Sequence, residues 1–217
     1  MNDLALAILS VDDRLTIASL YGSAGAGGVM LALAADKVLA RDGIVLNPHY
    51  KGMGGLYGSE YWTYSLPKRV GAENALELTG RCLPVGVREA RAIGLIDDVI
   101  LRDEVGEDAF GGFREQIARI ADGLARSPRY AHLLQNKRAV RERDERVKPL
   151  RQYRVDELAE MTRNFWGDDR RYHEARAAFV RKRPRAGELK WPAGPARSPS
   201  DRVHSGWAGS EAGRQAA

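Results

Sequence analysis

The sequence has one cysteine among its 217 residues. That excludes an internal disulfide framework and any zinc site built on cysteines. It has four histidines, and His132, His173 and His204 stand at no mutual metal-ligand spacing, so no metal is expected. No apolar run approaches the roughly 20 residues of a membrane-spanning helix. The first residues lack the basic, apolar and small-residue order of a signal peptide. A cytoplasmic protein with no membrane contact is the resulting expectation. No glycine-rich segment ends in Gly-Lys-Ser/Thr, and none has dinucleotide-fingerprint spacing, which removes two phosphate-binding classes. No internal repeat is evident.

What is present suffices for a folded core: 44% of residues are apolar and 29% charged. The formal charge is +5, but the excess is local. Residues 1–125 are net acidic, and the basic excess lies in 126–185. Most of those arginines alternate with acids on helical segments. Solvated helix faces are the simpler reading, and a site for an anionic partner is the alternative. With no recognised motif among them, nucleic-acid binding is not expected.

The first half reads as α/β. Strands are expected at 15–20, 38–40, 43–47 and 96–101. A helix apolar on nearly all sides is expected at 28–36, with further helices at 57–70, 73–79 and 86–93. Helices then follow at 113–125, from Tyr130 to near Pro149, at 150–166 and at 169–183. Phe165, Trp166, Tyr172 and Phe179 are their expected apolar anchors, and Asp168 or Asp169 the last N-cap. This divides the chain into an α/β core (1–112), a helical region (113–185) and a tail (186–217). The tail is rich in Gly, Pro and Ser and is expected to be disordered. Trp191 and Trp207 could mark a short binding motif within it.

Residues 21–28 read Tyr-Gly-Ser-Ala-Gly-Ala-Gly-Gly between a strand and the buried helix. Small residues let a ligand approach backbone N–H groups closely, and the helix N-terminus adds free donors and a positive dipole end. Such a turn suits an oxyanion or a phosphate. A tight turn with close helix packing explains the glycines equally well.

The order of further motifs is more specific. The run LTIASLYGSAGAGGVMLALAADKVLA is followed by Leu66 to Gly71 (LPKRVG), Thr79 to Arg81 (TGR) and Ala92 to Asp97 (AIGLID). This series resembles the crotonase (enoyl-CoA hydratase/isomerase) superfamily. Residues 47–71 and 163–182 resemble the crotonase-like C-terminal part of NiFe-hydrogenase maturation proteins of the HypX (HoxX) type. The likeness covers roughly residues 8–185.

The resemblance implies the C-terminal part of a spiral of ββα turns, then a helical region. It implies a CoA thioester as ligand, as formyl-CoA or another acyl-CoA, and stabilisation of an oxyanion by backbone donors. Gly27 is the implied donor. Ser23, Ala24, Gly25, Ala26, Gly28, His49, Gly54 and Gly55 are the implied substrate and CoA contacts. The family's second donor comes from an earlier segment without a counterpart here. The formyltetrahydrofolate-using domain of HypX proteins has none either. The chain is therefore expected to be a fragment, a late-start product or one piece of a split protein. Its oligomeric state is left open, although many crotonases form trimers.

Hydratases of this family use two glutamates. Met30 stands at the first position, and no acid occurs in Pro48-His49-Tyr50 at the second, so water addition loses its acid and base. Tyr50 and Glu60 remain, flanking the Gly52–Gly55 loop. The HypX likeness implies cleavage of formyl-CoA to CO and CoA, with hydrogenase maturation proteins or the hydrogenase large subunit as partners. Glu60 is then the expected proton acceptor and Tyr50 the relaying donor. A solvated surface glutamate and a core tyrosine are the ordinary alternatives. A generic hydratase or isomerase, and a non-catalytic interaction module with a basic docking face, are the competing functions. Lys51 reads as solvated or phosphate-facing, and Cys82 as a small packing residue.

Overall fold

The computed structural model describes residues 1–101 and 109–183. The order opens with helix α1 (Asn2–Leu9), strand β1 (Ile17–Leu20), strand β2 (Ala24–Gly25) and helix α2 (Gly27–Leu33). Strands β3 (Lys37–Arg41) and β4 (Val45–Asn47), a 3-10 turn (Lys51–Met53), and helices α3 (Trp62–Val70) and α4 (Ala72–Arg81) follow. Then come β5 (Val85–Gly86), α5 (Val87–Ala92) and β6 (Asp98–Ile100). Helices α6 (Ala109–Ala125), α7 (Tyr130–Val147), α8 (Leu150–Trp166) and α9 (Arg170–Val180) complete it.

Two small sheets form. In one, β3 lies between β1 and β6, and both pairings are parallel. In the other, β4 pairs in parallel with β2 and antiparallel with β5. Parallel neighbours need a crossover, and α2 supplies the one from β1 to β3. Its composition explains its place. Val29, Met30, Ala32 and Leu33 are all at most 6% exposed, and burial of each large side chain contributes about 1.5–3 kcal/mol.

Charged groups lock the end of α2. Arg69 of α3 donates to the carbonyls of Ala35 (3.0 Å) and Asp36 (3.1 Å), just past the helix. Such terminal carbonyls have no partner within their own helix. The same guanidinium pairs with Asp97 at 2.6 Å. Asp97 also accepts from Lys37 Nζ (2.9 Å) and the Val38 N–H (2.7 Å). Asp36 accepts from the Thr16 N–H (2.6 Å), the Thr16 hydroxyl (2.9 Å) and Lys137 of α7 (2.7 Å). The motif residues Asp36, Arg69 and Asp97 thus tie α2, α3 and β3 together.

The structure departs from the sequence expectations at several points. Residues 2–9 form a helix that was not foreseen, packing Ala5 and Leu9 with Tyr61, Tyr64 and Leu150. The helix expected over 57–70 begins only at Trp62, because Glu60 and Tyr61 hold positive φ angles of 65° and 60°. The buried helix stops at Leu33 rather than continuing to Asp36. The helix expected from Phe113 already begins at Ala109. Of the four expected anchors only Tyr172 is buried, whereas Trp166 is 79% exposed and Phe165 and Phe179 are also exposed. Asp169 is the N-cap of α9, accepting from the N–H groups of Arg171 (3.0 Å) and Tyr172 (3.2 Å). Among the described residues, no helix is long and apolar enough to cross a membrane. The tail and its two tryptophans lie outside the described residues.

Burial pushes the Asp97 carboxyl upward, but hydrogen bonds from Arg69, Lys37 and the Val38 N–H outweigh it and hold its pKa below the usual carboxylate value. A depressed folded pKa stabilises above the unfolded pKa, and the stabilisation is lost as pH falls through the folded one. Asp97→Asn should therefore lower the unfolding free energy at neutral pH by about 1–3 kcal/mol. In urea melts, the gap to the parent chain should close as the pH drops below the carboxylate range.

Candidate functional site

The site begins where the glycine-rich turn meets β4. Ala24 and Gly25 pair with Leu46 and Asn47, and the Ala26 N–H donates to the Asn47 carbonyl at 2.8 Å. Ala26 then turns the chain sharply (φ 48°, ψ −122°) into the first turn of α2. Three residues past Asn47 the other strand delivers Tyr50, which is 6% exposed. The Tyr50 hydroxyl donates to Glu60 Oε2 and lies 3.0 Å from the Ser59 carbonyl. Both groups abut the start of α2. A methyl group on Gly27 would sit 3.3 Å from Glu60 Oε2 and 3.6 Å from the Tyr50 hydroxyl. The structure therefore brings together Gly27, Tyr50 and Glu60.

The electrostatics of the trio are unequal. Burial, and then the neighbouring Glu60 carboxylate, push the Tyr50 pKa far above the usual phenol value. The phenol thus stays protonated and acts as a donor. Glu60 is only partly buried. The Val29 and Met30 N–H groups donate to the Ala26 carbonyl at 3.0 and 3.1 Å, which leaves those of Gly27 and Gly28 without a helical acceptor at the positive end of the helix dipole. A proton acceptor, a fixed phenol donor and free backbone donors in one place can orient a carbonyl and carry a proton to or from it.

Glu60 rides on an irregular strap, residues 57–61, that leads into the first turn of α3. Left-handed backbone at non-glycine residues costs about 1–3 kcal/mol each and clusters at functional sites. The strap offsets that cost with side-chain acceptors from distant elements. The Glu60 N–H donates to Asn2 Oδ1 at 2.7 Å. The Tyr61 N–H donates to Glu157 Oε2 at 2.9 Å. The Thr63 N–H (2.9 Å) and hydroxyl (2.6 Å) donate to Glu157 Oε1. The Tyr57 N–H donates to Asn164 Oδ1 at 2.7 Å, and the Gly58 N–H to Met161 Sδ at 3.2 Å. Gly58, at φ +89°, lies flat on Tyr50: a Cβ there would fall 2.0 Å from the ring.

The remaining expected contacts are spread more widely. Ser23 is exposed, and its hydroxyl accepts from the Val45 N–H at 3.2 Å. Gly25 and Gly28 are exposed along the turn, with Ala24 packed against the core. His49 points inward and is 8% exposed, its Nδ1 accepting from the Gly52 N–H at 3.4 Å. Burial lowers its pKa. Gly54 presses on the α9 backbone, where a Cβ would fall 2.6 Å from the Cα of Arg176, and Gly55 lies beside Tyr172. These three residues shape the loop around the 3-10 turn. A separate cavity of about 330 Å³, lined by Leu9, Ala34, Tyr64, Lys68, Lys137 and Arg141 among others, contains none of the expected site residues.

Sequence reasoning missed Asn2, Glu157, Met161 and Asn164. The basic, acid-interleaved helices read as solvated faces, yet Glu157 is 1% exposed. Its signal was register. Leu150, Tyr153, Glu157, Met161 and Asn164 share one helical face, and a carboxylate among inward positions needs partners.

The family model described as enoyl-CoA hydratase/isomerase matches residues 1–186. The hydrogenase maturation factor HoxX of Bradyrhizobium diazoefficiens is 45% identical over 186 residues, covering 86% of this chain and 32% of that protein. A crystal structure of HypX from Aquifex aeolicus in complex with tetrahydrofolic acid superposes with a TM-score of 0.74 at 40% identity, covering 88% of this chain and 34% of that one. An enoyl-CoA hydratase/isomerase structure from Pseudoalteromonas atlantica shares the fold, with a TM-score of 0.64 at 22% identity over 84% of this chain and 67% of that one. The chain spans about a third of the length of the HoxX and HypX relatives.

Gly58→Ala should test the seat of Tyr50. Gly71 has a similar φ of +81° but open space around it, so Gly71→Ala isolates the backbone strain. The Gly58 variant should cost more than about 1 kcal/mol and clearly exceed the Gly71 variant in denaturant melts. Equal costs would mean that the Tyr50 ring is free to move aside.

Proposed function

We propose, on the premise that this chain belongs to the enoyl-CoA hydratase/isomerase family, that it is the CoA-thioester-processing part of a hydrogenase maturation factor. Its reaction is the cleavage of formyl-CoA to CO and free CoA, and its setting is the cytoplasm. The observation that carries this reading is the Tyr50–Glu60 pair seated against the first turn of α2 at Gly27.

The chemistry asks for little more than such a pair. The formyl hydrogen leaves carbon as a proton, the C–S bond breaks with its electron pair going to sulfur, and CO departs. The proton ends on the thiolate, giving free CoA, so no oxidant or reductant is consumed. Glu60 takes the formyl proton. Tyr50, held protonated by burial and by the carboxylate, orients Glu60 and relays the proton toward the leaving sulfur. The Gly27 N–H orients the thioester carbonyl, with Ser23 to Gly28 as the turn against which the ligand lies.

Water addition is disfavoured by the same residues. Met30, at the position of the first hydratase glutamate, is fully buried and has no exchangeable proton. The second position falls within Pro48-His49-Tyr50, which has no acid. The HoxX and HypX likenesses support maturation proteins or the hydrogenase large subunit as recipients of the product.

Glu60→Gln should reduce CO release from formyl-CoA by about 10²-fold or more, read as the carbonyl-haemoglobin spectrum. Affinity for CoA should stay within about threefold of the parent, since the amide keeps the shape of the site. Undiminished CO output from this variant would remove Glu60 from the reaction.

A further inference from the structure

Glu157 is a buried carboxylate that the proposed reaction does not use. Its three partners, the Tyr61 N–H, the Thr63 N–H and the Thr63 hydroxyl, are all neutral donors. A carboxylate held without a cation in the interior is costly unless its oxygens are fully satisfied. Burial, opposed by the Thr63 and Tyr61 hydrogen bonds and reinforced by the charge of Glu60, raises its pKa.

Its position explains its presence. Its bonds go to the first turn of α3, where N–H groups lack helical partners and the dipole end is positive. A serine, threonine or aspartate at the N-cap would normally serve there. The N-cap is instead Tyr61, which makes no side-chain cap. The cap arrives from 96 residues away. It holds the N–H that directly follows Glu60.

Glu157 does not act alone. Met161 and Asn164 follow at the i+4 and i+7 positions of the same helix, and their acceptors meet the N–H groups of Gly58 and Tyr57. One face of α8 therefore offers a row of acceptors to a strap that runs antiparallel to it.

We propose that Glu157 is a positioning residue: with Met161 and Asn164 it fixes the 57–61 strap and the first turn of α3 so that Glu60 meets Tyr50 and Gly27. This rests on the reading of Tyr50 and Glu60 as the reacting pair. The helical region, by this account, sets the geometry of the acid–base pair through one face of α8.

The test uses the full 217-residue chain with its tyrosines labelled with 13C at Cζ, the Tyr50 signal being assigned from Tyr50→Phe. Glu157→Gln keeps the size, but its NH2 group must face at least one N–H donor. The folded variant should shift the Tyr50 resonance and speed amide exchange at Tyr61. Its kcat for CO release should fall by about tenfold or more, with the Kd for CoA within about threefold. A folded Glu157→Gln chain with an unmoved Tyr50 resonance and parental Tyr61 exchange overturns the proposal. Should that variant fail to fold, Asn164→Ala, which removes only the Tyr57 acceptor, must move the same resonance, and an unmoved signal overturns the proposal equally. Full CO release by Glu60→Gln would refute the reaction reading, while the Tyr50 resonance would still decide the role of Glu157.

Discussion

The candidate site depends on how a strap with no regular structure satisfies its backbone. Residues 57–61 belong to neither a helix nor a strand, yet Gly58, Ser59 and Tyr61 are buried. Buried N–H groups must find acceptors. Here they find side chains: Asn2 from α1, and Glu157, Met161 and Asn164 from α8. Once those acceptors fix the strap, Glu60 has little choice of place. The same constraint explains the two consecutive left-handed residues, since this conformation lets Glu60 turn toward Tyr50 while Tyr61 starts α3.

Two carboxylates lie in this small region, and environment divides their roles. Glu157 is fully enclosed, with three donors on its two oxygens. It has no access to a ligand. Glu60 is partly exposed, holds one phenol, and adjoins a glycine whose missing side chain leaves room beside the carboxylate. Under the proposed reaction the enclosed carboxylate holds the backbone and the accessible one handles the proton.

Much of the fold was legible because the chain's motifs are contiguous. The apolar α2, the parallel strands on either side and the capping Asp169 all follow from local pattern. Gly27, Tyr50 and Glu60 were named through the family resemblance, with a core tyrosine and a surface glutamate as alternatives, and they lie together in space. The strap could not be read. Periodicity extends Trp62–Val70 backward to residue 57, and only long-range acceptors forbid it. Glu157 was hidden for a related reason: a Glu in a helix rich in Arg and Glu looks solvated until its register is compared with Leu150 and Tyr153. Helix α1 escaped because its apolar run is short, and its burial depends on Tyr61, Tyr64 and Leu150 far along the chain.

The division between motif and chemistry also explains why family membership and reaction separate here. Asp36, Arg69 and Asp97 lie in or beside the segments that carry the family likeness, and they are engaged with each other, with Thr16, with Lys37 and Lys137, and with the end of α2. They hold α2 so that its first turn faces outward at Gly27, a requirement shared by any enzyme that orients a thioester carbonyl there. None of them reaches the reacting end. In the proposed reaction the proton-handling groups are instead Tyr50 and Glu60, since no acid occurs at the two hydratase positions and Met30 is buried in the core. A scaffold fixed by one set of charges thus stands apart from a second set, and under the proposed function the identity of that second set decides which bond of the thioester breaks.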